Sequence, residues 1–158
     1  MKKFAIEIKW GIILALALLL WILLEKLMGW HGKHIEQYAF NTWFFLIPAT
    51  HIYVSAIKAK RDKFFGDKIS WIKGFQAGLG ITVMVLILNP LLQYIFISVI
   101  SPDFCTNAID FAIKSRKMNQ LQAENFFNLK NLILQSSLRI LIFGIVISSI
   151  VSIFVKKK

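Results

Sequence analysis

Four apolar stretches separated by short polar segments set the pattern of this chain, and each is long enough to be a membrane-spanning helix. The first covers about 10–28; its 19 residues rise about 28 Å at 1.5 Å each, close to the roughly 30 Å hydrocarbon thickness of a bilayer. Trp10 and Trp30 bracket it in the manner of an aromatic belt. The second covers about 39–57 and contains Pro48, which predicts a kink or local break because proline has no N–H to donate to the carbonyl four residues back. The third covers about 74–100 and is divided by Asn89-Pro90, with Pro90 bending it toward its outer end. Its length exceeds what the hydrocarbon needs, an excess that tilt and kinking accommodate. The fourth covers about 132–155 and ends at Lys156–Lys158.

Between the third and fourth stretches, residues 101–130 form the one sizeable non-spanning region. Ser101-Pro102 predicts a helix start, with Ser101 as cap and Pro102 in the first helical position. Phe104, Ala108, Phe111 and Ala112 then share one side of an amphipathic helix. Asn119 and Gln122 have capping-box spacing and open a second helix that runs toward the fourth span. The expected fold is therefore all-α: one polytopic domain over 1–158, with four transmembrane helices and an extracytoplasmic helical segment.

Composition agrees with the pattern. Of the 158 residues 57% are hydrophobic and only 17% are Asp, Glu, Lys or Arg, too few to cover a soluble core. The formal charge of +11 does not indicate a nucleic-acid binder, because the basic residues stand at the ends of apolar runs and not on one face of a soluble domain. They set an orientation instead. Twelve of the 19 basic residues fall on one side of the four-span topology: Lys2, Lys3, Lys9, Lys58, Lys60, Arg61, Lys63, Lys68, Lys73 and Lys156–Lys158. That asymmetry puts the basic loop Lys58–Lys73 and both termini in the cytoplasm, where the loop suits anionic lipid headgroups. The basic N-terminal residues resemble the start of a signal peptide, but the apolar run is too long and no Ala-x-Ala site follows, so a retained first helix is expected.

Candidate chemistry is sparse. Counted from the inner ends of their spans, Glu25 and Asn89 stand fifteen residues up and Arg139 sixteen, about 22–24 Å. Three polar residues from three spans thus reach one level in the outer third of the bilayer, where a charge is costly. Two arrangements follow: a Glu25–Arg139 ion pair near Asn89, or an Arg139 that snorkels outward while Glu25 pairs with Lys26. His51, one turn after Pro48, is a further intramembrane polar residue. Gly74 and Gly78 form a GxxxG step that permits close helix packing. His31 and His34 form an HxxH step, read as interfacial histidines because no wider ligand cluster accompanies them. Cys105 is the single cysteine and has no partner for a disulfide within the chain. No catalytic residue, cofactor or metal site is assigned; serines occur without a nucleophile elbow, and no phosphate-binding loop appears.

Phe4–Trp30, the Pro48 span, the Phe64-Phe65-Gly66 loop, Gly74-Phe75 with Gly78, and Ser101-Pro102 together resemble a family of small four-helix inner-membrane proteins of Bacteroidetes, domain of unknown function 4199. The resemblance covers essentially the whole chain. It implies a four-span bundle in a bacterial inner membrane and carries no catalytic residues with it. The expected function is a non-enzymatic structural, assembly or regulatory membrane component, partnered by lipids, by further copies of itself or by another membrane protein. The alternative is a small oligomeric transporter or channel subunit that uses Glu25, Asn89 and Arg139; a lipid-modifying enzyme ranks third.

Overall fold

The computed structural model describes residues 4–157 and is all-helical. Lys2, Lys3 and Lys158, counted above among the inner basic residues, lie outside the described residues. Helix α1 spans Ala5–Leu27. A 3-10 turn (Ile35–Gln37), a short α2 (Tyr38–Asn41) and a second 3-10 turn (Thr42–Phe45) lead into α3, Leu46–Phe64. Helix α4, Trp71–Ile95, continues as a π-helical turn over Phe96–Ile100. Then come α5 (Phe104–Lys114), α6 (Gln120–Phe126) and α7 (Leu129–Val155).

Among the described residues three helical stretches are long and apolar enough to cross a membrane: Ala5–Leu27, Trp71–Ile100 and Leu129–Val155. The expected second span is not among them. Helix α3 continues through Lys58, Lys60, Arg61 and Lys63, so residues expected in a loop dilute its apolar part. Pro48 is the third residue of α3, directly after a 3-10 turn; near a helix start the missing N–H is no loss. Pro90 is inside α4, with its ring exposed.

Three boundaries differ from expectation for identifiable reasons. Helix α1 starts at Ala5, five residues before Trp10, because Glu7 in its first turn is buried and paired (below). Asp103, not Ser101, precedes α5, and Ser101 turns its hydroxyl to a histidine. Helices α6 and α7 are separate. Phe127 ends the first, and Asn128 caps the second by accepting from the Asn131 N–H at 3.0 Å. The Asn119–Gln122 capping box forms, with reciprocal bonds of 2.9 and 3.1 Å.

The chain divides into two compact units interleaved in sequence. The first contains the chain up to Ala17, Leu46–Leu88 and the part from Ser137 on. Its core includes Leu14, Tyr53, Ile57, Ile81, Val85 and Val151. Helices α4 and α7 approach closely there: a Cβ on Gly74 would lie 2.9 Å from Ser152 Oγ, one on Gly78 2.3 Å from Ser148 Oγ, and one on Gly144 2.3 Å from Thr82 Oγ1. Three pairs at four-residue steps make one seam of small side chains, in which backbone contact replaces side-chain bulk. Ser148 and Ser152 Oγ are buried there with no hydrogen-bond partner among the described residues.

The second unit contains Leu18–Phe45 and Asn89–Ser136. Its core is Ile22, Phe96, Ile100, Phe104, Ala108 and Leu132, with Tyr38, Ile35 and Phe127 packed on it. Phe96, the first residue of the π-turn, and Phe104, the first of α5, meet at 4.8 Å between ring centroids.

Candidate functional site

The most polar buried place in the second unit is assembled from the end of α1, the loop after it and the π-turn. Trp21 and Glu25 are four apart on α1 and so share a face. The Trp21 indole N–H donates to Glu25 Oε1 at 2.9 Å. Helix α1 then ends in a left-handed turn at Gly29 (φ +78°), with the Trp30 N–H bonded to the Glu25 carbonyl and the Gly29 N–H to that of Lys26. This pairing is the Schellman motif, and a residue with a Cβ would be strained at that φ. The turn sends the chain back over the helix end. His34 N–H and Gly32 N–H both bond to the Gly29 carbonyl, which holds the loop tight.

His31 is thereby carried onto Glu25. Its Nε2 lies 3.3 Å from Glu25 Oε2, and its Nδ1 lies 2.7 Å from Ser101 Oγ. All three side chains are buried, Glu25 at 1%, Ser101 at 4% and His31 at 5% exposure. The imidazole is walled by the rings of Tyr38, Phe96 and Phe104, with centroids at 5.6, 5.1 and 5.4 Å. Asn107 of α5 donates to the His31 carbonyl at 2.9 Å, and the Lys26 ammonium donates to the carbonyl of Ile100. A carboxylate, an imidazole and a hydroxyl thus form one hydrogen-bonded chain. Chemically it can bind and hold a proton. Pro102, which follows Ser101, offers no backbone N–H beside that hydroxyl.

A second network lies nearby in sequence. The Asn89 amide donates to Ser136 Oγ at 2.8 Å and to the Ile133 carbonyl at 3.2 Å, and Gln93 donates to Asn89 Oδ1 at 3.4 Å. Asn89 is fully buried. These bonds join α4 to α7 without charge.

In the first unit the buried charges are Glu7 and Lys60, whose atoms meet at 2.8 Å with exposures of 6% and 4%. The Lys60 ammonium also lies 4.3 Å over the Phe64 ring. Gly80 makes room for the glutamate: a Cβ there would lie 2.8 Å from Glu7 Cγ. Tyr53 and Thr82 share a hydrogen bond of 2.8 Å in the same interior.

The three polar residues singled out by depth, and His51, each have their own surroundings. Glu25 is paired with His31, which the Gly29 turn brings to it. Asn89 belongs to the amide network. Arg139 is exposed on α7, and His51 is exposed on α3; neither has an ion pair among the described residues. His31 and His34 separate as well, His34 being half-exposed at 3.7 Å from Glu36. Among the described residues no three His, Cys, Asp or Glu side chains gather as metal ligands. Cys105 is partly buried at the start of α5, and burial pushes its thiol pKa up.

Sequence reasoning missed His31, Ser101, Glu7 and Lys60 as members of these clusters. The available signal for His31 was the Glu25-x3-Gly29-x-His31 spacing, in which a glycine cap reverses the chain onto the last turn. For Lys60 there was none, since its position four residues before Phe64 looked like solvated loop.

A family model described as "Protein of unknown function (DUF4199)" matches residues 9–157. The chain belongs to that family. No curated protein and no solved structure matches it.

Proposed function

We infer that this DUF4199 protein is a multi-pass inner-membrane protein of bacteria that acts as a non-enzymatic structural, assembly or regulatory component. The observation that carries this reading is that its buried ionisable groups Glu7, Lys60, Glu25 and His31 are each closed on partners from their own chain. Groups so engaged hold helices together, and a transport path lined by Glu25 would have to bring water to a side chain 1% exposed.

The reading has four crossings, with residues 39–57 as the second. Exposed Ile12, Leu16, Val83, Ile87, Leu138, Ile142 and Ile150 in the first unit form apolar surface suited to lipid. In this topology both termini and the C-terminal end of α3 are cytoplasmic, and exposed Lys58, Lys63, Lys68 and Lys73 face anionic headgroups. Residues 101–130 are then extracytoplasmic and available to a membrane-protein partner or a second copy.

Orientation is tested with a cysteine-free background (Cys105→Ser) and single cysteines at Lys63 and Asn119. A membrane-impermeant maleimide is expected to label the second in intact cells and the first only after permeabilisation; the reverse result sinks the topology.

A further inference from the structure

We propose that Glu25 and His31 form a proton-binding site, and that its occupancy controls the grip of the α1 end on the Ile100–Ser101 junction. The inference stands on the second unit alone and does not depend on the topology above. Three bonds converge on the junction and the helix after it. Lys26 grips the Ile100 carbonyl, His31 grips Ser101 Oγ at 2.7 Å, and Asn107 of α5 returns to the His31 carbonyl at 2.9 Å. The junction closes a π-turn, with the Ser101 N–H bonded to the Phe96 carbonyl at 2.7 Å. Such turns are rare and frequent at functional sites.

The chemistry of the pair makes it sensitive to protons. With Glu25 ionised and His31 neutral, the imidazole donates from Nε2 to the carboxylate and accepts from Ser101. With His31 protonated, both ring N–H groups donate and the serine hydroxyl rotates to become the acceptor. Both states keep both bonds, so a proton enters without breaking the chain. What changes is net charge inside a wall of three aromatic rings. The pair carries −1 with no proton, is neutral overall with one, and carries +1 with two. Net charge in an interior is strongly unfavourable, so the grip is firmest with one proton bound and loosens when that proton leaves or a second arrives.

The surrounding elements carry few competing charges. On α1, Lys26 is engaged with Ile100; on α2, Tyr38 presents its ring to the imidazole. The loop and 3-10 turn carry Lys33, His34 and Glu36, none of them buried, and α5 begins after Asp103 with Cys105 partly buried. Neither Glu25 nor His31 forms an ion pair with any of these.

The test is hydrogen exchange of the full chain in lipid nanodiscs from pH 4 to pH 9, corrected for the intrinsic pH dependence of exchange. Wild-type amides in 28–34 and 101–107 should exchange least at an intermediate pH and about tenfold faster on at least one side of it. The two single variants should have opposite slopes. Glu25→Gln is neutral until His31 is protonated, so it loosens on acidification and loses the alkaline limb. His31→Gln leaves a lone carboxylate, so it tightens on acidification. A flat wild-type profile, or parallel slopes in the variants, overturns the proposal. Should either variant fail to fold, nitrogen-15 spectra of His34→Gln/His51→Gln decide, because His31 is then the only imidazole left. A constant proton count on its ring from pH 4 to pH 9 overturns the proposal as well.

Discussion

The first unit buries a glutamate against a lysine, while the second buries a glutamate against a histidine. Glu7 and Lys60 meet at 2.8 Å in one interior, and Glu25 and His31 at 3.3 Å in the other. The two pairs look alike as distances and differ as chemistry. Glu7 and Lys60 form an ion pair that joins α1 to α3. The second pair sets a carboxyl against an imidazole, whose two ring nitrogens can each donate or accept. The packing around them differs in the same sense. In the first unit Gly80 makes room for Glu7, and Gly74, Gly78 and Gly144 bring α4 and α7 together, whereas the histidine is walled by large rings beside a π-turn. One unit is built to stay closed, and the other contains a joint.

The sharpest way to break this contrast is to remove one charge from each pair. Lys60→Met leaves Glu7 buried without its cation, and breaking a buried pair in this way costs about 3–5 kcal/mol. Unfolding in mixed detergent micelles, with exchange resolved over α1 and α3, would read the loss. Replacing both partners, Glu7→Leu with Lys60→Met, should recover most of it. If the double variant is no better than the single, the pair is not what stabilises the unit.

Close packing comes next. Gly78→Ala places a methyl group 2.3 Å from Ser148 Oγ and 3.2 Å from its Cα, against backbone as well as side chain. Overpacking of this kind costs about 1–3 kcal/mol. Ser148→Ala should not rescue it, because Ser148 Cβ is itself only 2.5 Å from the new atom; Ser148→Gly should. Rescue by alanine would mean that α4 and α7 are less tightly joined than the seam of small residues indicates.

A smaller effect is expected at Glu25→Gln, about 1–2 kcal/mol near neutral pH. The amide oxygen still accepts from Trp21, and His31 can be neutral, so no charge is stranded. Compared in the same micelles, Glu7→Gln should be clearly the more damaging, since it strands Lys60. Equal losses would erase the distinction between the units.

Much of this architecture was legible in the residues, and the illegible part has a common cause. The apolar runs located α1, α4 and α7, because a helix in lipid must be apolar along most of its length. Asn119 and Gln122 located a helix start, because a capping box is a local device. Family membership was legible across the chain too. The pairs were not. Distance along a helix gives Glu25 a level, yet depth says nothing about which neighbour a turn returns to it. Gly29 does say so, but only once its positive φ is known. Lys60 stands in a run of basic residues that looks solvated, and only the continuation of α3 to Phe64 turns it inward toward Glu7. Ser101 has the local grammar of a cap and is taken by a histidine seventy residues away in sequence.

The smallest predicted effect is at the surface of the first unit, where charges are paired without being buried. Asp67 bonds the Lys157 ammonium and lies 3.4 Å from Arg61, next to a backbone bridge in which Ile69 and Lys157 exchange N–H···O bonds of 2.9 and 3.0 Å. The Lys157 hydrogen bond, then the Lys157 and Arg61 charges, hold the Asp67 carboxyl below its ordinary value of 3.8. A carboxylate depressed in the folded state contributes its stability fully above the unfolded value, and that contribution is lost as pH falls through the lower, folded one. Exchange of the Ile69 and Lys157 amides, corrected for its intrinsic pH dependence, should therefore be constant through neutral pH and rise only below pH 4. Asp67→Asn is the appropriate control, since Asp67 has φ +68° and asparagine tolerates that region, so the charge goes without added strain. The variant should lose the acid-dependent rise and be slightly faster at neutral pH. Because the pair is fully exposed, raising the salt should reproduce much of the variant's behaviour in the wild type. The same salt should leave Lys60 and Glu7 untouched, which makes their burial, and not their charge alone, the reason they matter.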